Sequence, residues 1–156
     1  MEAKLAEVKE KCGYVHDSLQ HLLVPIGDIY PDDTNTRFHG EDNLHAIRNS
    51  LREFGFDMPL VARKDDRTLI KGSGRLMAAR ELGFEYVPVL FVDDDQLKAA
   101  ARAIADNKTG DMSVWNEPML SDLLTQLTDA DIDMTNYGFT EKELMDYVSI
   151  PVDDLV

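Results

Sequence analysis

The sequence predicts a mixed α+β fold: a small mixed sheet with packed helices and an acidic helical extension at the C-terminal end. Two observations carry that prediction. Short apolar runs rich in Val, Ile and Leu alternate with stretches whose apolar residues recur every three or four positions. Glycine and proline fall at the joints between them rather than inside them. With 156 residues and a hydrophobic fraction of 44%, the chain can bury one ordinary core.

Residues 2–23 read as an amphipathic helix, with Leu5, Val8, Cys12, Val15, Leu19, Leu22 and Leu23 on one stripe. Its expected role is core packing, or else contact with a partner. Val24-Pro25-Ile26-Gly27-Asp28-Ile29 reads as a short strand and turn, and residues 30–40 carry loop chemistry. A helix is expected over 41–54, where Leu44, Ile47, Leu51 and Phe54 share a face and Gly55 ends it. Residues 59–63 and 68–71 read as two strands of a hairpin. A short helix over 75–82, a strand over 87–92 and helices over 95–106, 117–127 and 140–148 complete the order. The expected division is an N-terminal helix (1–23), a core (24–115), an acidic helical extension of the same domain (116–148) and a tail (149–156).

Composition excludes several function classes. The single cysteine, Cys12, rules out an internal disulfide, a zinc knuckle and a paired-thiol redox motif. No apolar run approaches a membrane span and the first residues carry no apolar signal core, so the chain reads as cytoplasmic with no membrane partner. A net charge of −14 opposes unaided binding to a phosphate backbone. The charge is uneven, however. Residues 111–156 hold eleven acids and one base, whereas residues 37–80 hold nine bases and six acids. A locally basic segment in an acidic chain suits either a solvated face or a site for a small anion.

The most informative stretch is Leu69-Ile70-Lys71-Gly72-Ser73-Gly74-Arg75, continuing to Ala78-Ala79. It reads as strand, two-glycine turn and helix start, which is how a backbone presents free N–H groups to an anion. Arg75 adds a planar, permanently charged fork. A tight turn without function shares the pattern. A dinucleotide fingerprint fits poorly, because the third small residue falls at Ala78 rather than Met77, and the Gly-Lys-Ser/Thr phosphate loop is absent.

Around this turn the chain resembles the ParB/sulfiredoxin superfamily, in the form of ParB-like N-terminal domains. Four features carry the resemblance in the family's order. They are Val24-Pro25-Ile26 with Ile29 and Pro31; Asn35-Thr36-Arg37 with the Phe54-to-Leu60 turn; Gly72-Ser73-Gly74-Arg75 with Ala78-Ala79; and Ala105-Asp106-Asn107. Trp115-Asn116-Glu117 and residues 137–144 further resemble a variant found beside phage or plasmid DNA-modification genes.

The resemblance implies a nucleoside triphosphate, CTP or ATP, with Mg²⁺. Arg37 and Arg75 would contact phosphates, Gly72, Ser73 and Gly74 would cradle them beside Asn35, and Asp106 and Asn107 would hold the metal. A hard cation and its triphosphate want that chemistry. Ser73 stands where partition proteins carry Glu and sulfiredoxins carry their reactive Cys, which removes sulfiredoxin chemistry. Three function classes stay open. The first is a ligand-gated or partner-dependent binding module in DNA-related processes, with a protein partner or self-association. The second is an enzyme of the same fold (NTPase, phosphotransferase or nuclease) using Ser73, Asp106 or His39. The third is an acidic interaction or DNA-mimic protein. No helix-turn-helix follows residue 110, so direct sequence-specific DNA binding is not expected. Asp94 or Asp95 is expected to cap a helix, and Trp115 to pack.

Overall fold

The computed structural model describes Val8 and residues 11–148. Among them, four strands form one mixed sheet: β1 (Leu23–Pro25), β2 (Leu60–Arg63), β3 (Leu69–Lys71) and β4 (Tyr86–Val92). Their order is β1-β4-β2-β3. β2 runs antiparallel to β3 as the expected hairpin, with an irregularity between Val61 and Ala62, and parallel to β4 in the register Leu60 to Val89. β1 closes the other edge antiparallel to β4, Leu23 facing Pro88.

The helices are α1 (Glu41–Phe54), α2 (Ser73–Glu81), α3 (Gln96–Asp111), α4 (Glu117–Asp129) and α5 (Glu141–Val148). α1 follows the predicted stripe, burying Leu44 and Leu51. α2 starts two residues earlier than periodicity suggests and packs on α1. Ala78 and Ala79 are fully buried on it, within the core cluster that holds the sheet's Leu60, Ala62 and Val87. The core gathers Leu60, Ala62, Leu69, Val87 and Val89 of the sheet with Leu76 of α2, Leu51 of α1, and Ile29 and Phe56.

One expectation changes. The helix predicted over 2–23 lies partly outside the described residues; Val8 and Lys11 are helical, but the helix does not continue past Lys11. The chain turns at residues 12–14, Val15 bridges Phe56, and a 3₁₀ segment spans Asp17–Leu22. Pairing decides this. The Tyr14 carbonyl accepts from the Phe56 amide at 2.6 Å and the His16 amide donates to the Phe56 carbonyl at 2.9 Å, bonds a continuous helix would forbid. The short strand and turn expected over Val24–Ile29 are present, as β1 ending at Pro25 and a 3₁₀ turn over Ile26–Asp28. The tail expected over 149–156 lies outside the described residues.

The acidic helices dock rather than trail. Asn49 of α1 donates to the Asn136 carbonyl at 3.0 Å, and the Phe54 and Tyr137 rings meet at 5.5 Å. Ser121 of α4 donates to the Tyr147 carbonyl of α5 at 2.5 Å. Thr140 and Glu143 start α5 with a reciprocal capping box. Trp115, expected to pack, stays 67% exposed beside Phe139. No described helix is long and apolar enough to cross a membrane.

Candidate functional site

The strand–turn–helix from β3 to α2 forms one wall of a cleft of about 440 Å³. The loop before α1 and one face of α3 supply the others, and the volume lies within the usual range for small-ligand sites. The cleft is lined by all eight residues singled out in the sequence: Asn35, Arg37, Gly72, Ser73, Gly74, Arg75, Asp106 and Asn107. α3 contributes Ala103, Asp106 and Asn107, whose three- and four-residue spacing puts them on one face.

Geometry requires glycine at position 72 and favours it at position 74. Gly72 sits at φ 97°, and a Cβ there would lie 2.4 Å from Leu60 Cδ2. A Cβ on Gly74 would meet Ile47 Cδ1 at 2.7 Å and the His39 ring at 2.9 Å. Gly74 thus makes room for His39 and α1. Beyond Gly72, α2 opens with no side chain capping its N-terminus. Its first N–H groups and the positive end of its dipole are what an anion seeks.

The cationic residues differ in kind. Arg75 is the most committed: Nη1 donates to the Met58 carbonyl at 2.8 Å and Nη2 to the Pro59 carbonyl at 3.5 Å. Burial pushes its guanidinium below the ordinary arginine value, while Asp57 and Asp106 pull it back up; it stays charged across the working pH range. Arg37 is exposed and reaches across to α3, donating to Asp111 Oδ1 at 2.5 Å and the Asn107 carbonyl at 3.4 Å. Asn35 shapes the loop, its Oδ1 accepting from the Arg37 amide at 3.0 Å.

Sequence reasoning passed over one cation. Lys71, the last residue of β3, lines the cleft and donates from Nζ to Asp106 Oδ1 at 2.5 Å. The available signal was its place immediately before the glycine turn. It also missed Asn43, whose Oδ1 lies 2.7 Å from His39 Nδ1 and fixes the ring at the cleft wall. Asp94 had been one of two capping candidates. Asp95 caps α3 instead, accepting from the Lys98 amide at 2.9 Å, and Asp94 is buried against Arg102 at 2.5 Å.

For a divalent cation the donor set is lean. Asp106 is the only carboxylate among the described residues lining the cleft, with the Asn107 side chain its neighbour. Among the described residues no group of three or more His, Cys, Asp or Glu side chains converges as a metal cage. One carboxylate fits a cation that arrives on phosphates and keeps most of its waters.

No family model matches the chain. Among curated proteins it is similar to a nucleoid occlusion protein of Bacillus licheniformis, 28% identical over 113 residues, covering 68% of this chain and 37% of that protein. It is also similar to the ParB-like nuclease domain-containing protein YnaK of Escherichia coli, 28% identical over 74 residues, covering 47% of this chain and 84% of that one. The chain therefore spans about a third of the length of the first of these relatives. Among solved structures, the C-terminally truncated chromosome-partitioning protein ParB of Caulobacter crescentus, complexed with CTP-γ-S, superposes with a TM-score of 0.67. The superposition covers 80% of this chain and 74% of that one at 20% identity, which is a likeness of fold.

Proposed function

We propose that this chain, a ParB-like domain, binds a nucleoside triphosphate in the cleft between the β3–α2 turn, the Arg37 loop and α3. The observation that carries this reading is convergence: an uncapped helix start behind a left-handed glycine, with Arg37, Lys71 and Arg75 around it, in one cleft. Triphosphate oxygens match free N–H groups and guanidinium forks. The CTP-γ-S in the Caulobacter protein supports a nucleotide on this fold and makes CTP and ATP the first to test.

Arg37 would take phosphate oxygens, Arg75 would hold the turn and lend its charge, and Ser73 would add a hydroxyl bond. Asp106, beside Asn107, would face the phosphates and any cation that they carry. Because Arg37 is paired with Asp111 of α3, incoming phosphate competes with that carboxylate. Ligand occupancy thereby reaches α3, which makes the domain a ligand-gated module. Its action in DNA-related processes would run through a protein partner or a second copy, since the chain's own charge of −14 repels DNA.

A second reading, turnover of the nucleotide, is favoured by one observation: Asn43 holds His39 in the cleft that Ser73 lines. A histidine is the usual base for a hydroxyl. Calorimetry with CTP, ATP, GTP and UTP tests the first reading. Arg37→Ala, a change on an exposed loop, should weaken binding about tenfold or more and leave the fold intact. Wild-type affinity in that variant would refute the assignment. Phosphate release that is lost in both Ser73→Ala and His39→Ala would favour the second reading.

A further inference from the structure

We infer that Lys71 serves as a built-in cation for the phosphate subsite, so that this domain holds a triphosphate without depending on a divalent metal. The inference rests on the nucleotide reading above. Three features carry it. Lys71 ends β3 directly before the glycine turn and lines the cleft together with Gly72, Ser73 and Gly74. Its Nζ lies 2.5 Å from Asp106 Oδ1, on the carboxylate that a phosphate-borne cation would otherwise bridge. Asp106 is also the only carboxylate among the described residues of the cleft wall.

An ammonium has three donors. One is spent on Asp106, leaving two for phosphate oxygens, which is the bridging a divalent ion performs between a carboxylate and a polyphosphate. The side chain is 30% exposed, enough for a ligand to reach. With Lys71 in place Asp106 is neutralised and does not repel phosphate. Without Lys71, Asp106 would face the phosphates bare, and a divalent ion would become necessary.

Calorimetry with CTP and ATP, each in magnesium chloride and in EDTA, tests this. Wild-type affinity in EDTA should stay within about threefold of that in magnesium. Lys71→Met should lose roughly ten- to hundredfold in EDTA, the worth of a charge-assisted hydrogen bond, and regain most of it in magnesium. Lys71→Met combined with Asp106→Asn should recover part of the EDTA loss by removing the bare carboxylate, and Lys71→Arg should behave like the wild type. Thermal melts of the apo variants check folding. If Lys71→Met does not fold, Asp106→Asn alone decides, because metal-free binding should persist in it. Wild-type binding that falls tenfold or more in EDTA, or a Lys71→Met variant with wild-type metal dependence, overturns the role of Lys71 and leaves nucleotide binding standing. No binding by wild type in either buffer overturns both.

Discussion

Replacing Gly72 with alanine tests whether the glycine turn is set by backbone geometry. At φ 97° an L-residue meets its own carbonyl, a cost of roughly 1–2 kcal/mol. The new Cβ would also sit 2.4 Å from Leu60 Cδ2, and Leu60 is fully buried, so its side chain would have to shift within the core. Overpacking of that kind costs about 1–3 kcal/mol. Alanine stiffens the unfolded chain and returns roughly 0.4–1 kcal/mol. The net expectation is a loss of about 1–4.5 kcal/mol, a drop on the order of 10 °C in the melting midpoint. Urea titration should show a lower midpoint with an unchanged slope. Gly72→Asn should fall between the two, because asparagine tolerates the left-handed backbone but keeps the clash. A Gly72→Ala loss under about 0.5 kcal/mol would refute the reasoning.

Gly74→Ala should behave differently: the helix gains about 1 kcal/mol of propensity while the Cβ presses on Ile47 and His39. Stability should stay within about 1 kcal/mol of wild type, and the His39 ring resonances should shift by NMR. Asp94 is held below the ordinary carboxylate value, chiefly by its hydrogen bond to Arg102, with Lys98 assisting. Its contribution to stability is therefore present above a pH of about 4 and lost as pH falls through the lowered value. Urea midpoints between neutral and acid pH should show Asp94→Asn with a flatter acid limb and lower stability near neutrality. With a net charge of −14, the chain should bind duplex DNA no tighter than about 10⁻⁴ M at physiological salt by anisotropy.

What was legible in the sequence was whatever is encoded locally. α1 declared itself through Leu44 and Leu51 on one stripe, and the hairpin through two apolar runs around Lys64-Asp65-Asp66-Arg67. The glycine turn was readable because Gly72 and Gly74 have few other uses two residues apart before a helix. The N-terminal error came from a contact no local pattern contains: Tyr14 and His16 are claimed by Phe56, some forty residues away. Lys71 escaped notice because at the end of a strand a lysine looks like any solvated residue. Only the fold brings Asp106, thirty-five residues on, to meet it. Asp94 was ambiguous among three aspartates until Arg102, two turns along α3, chose it.

Arg75 spends its guanidinium on the Met58 and Pro59 carbonyls, and Gly72 is fitted against Leu60. Both positions thus have a part in the fold, whatever the cleft does. A descendant that had abandoned its ligand would still keep the Gly-x-Gly-Arg signature, as a ruin keeps its foundations. The residues that would drift first are Arg37 and Lys71, whose side chains serve the cleft more than the core. On the nucleotide reading proposed above, the loss of Arg37 or Lys71, rather than that of the glycine signature, would mark a homologue that no longer binds.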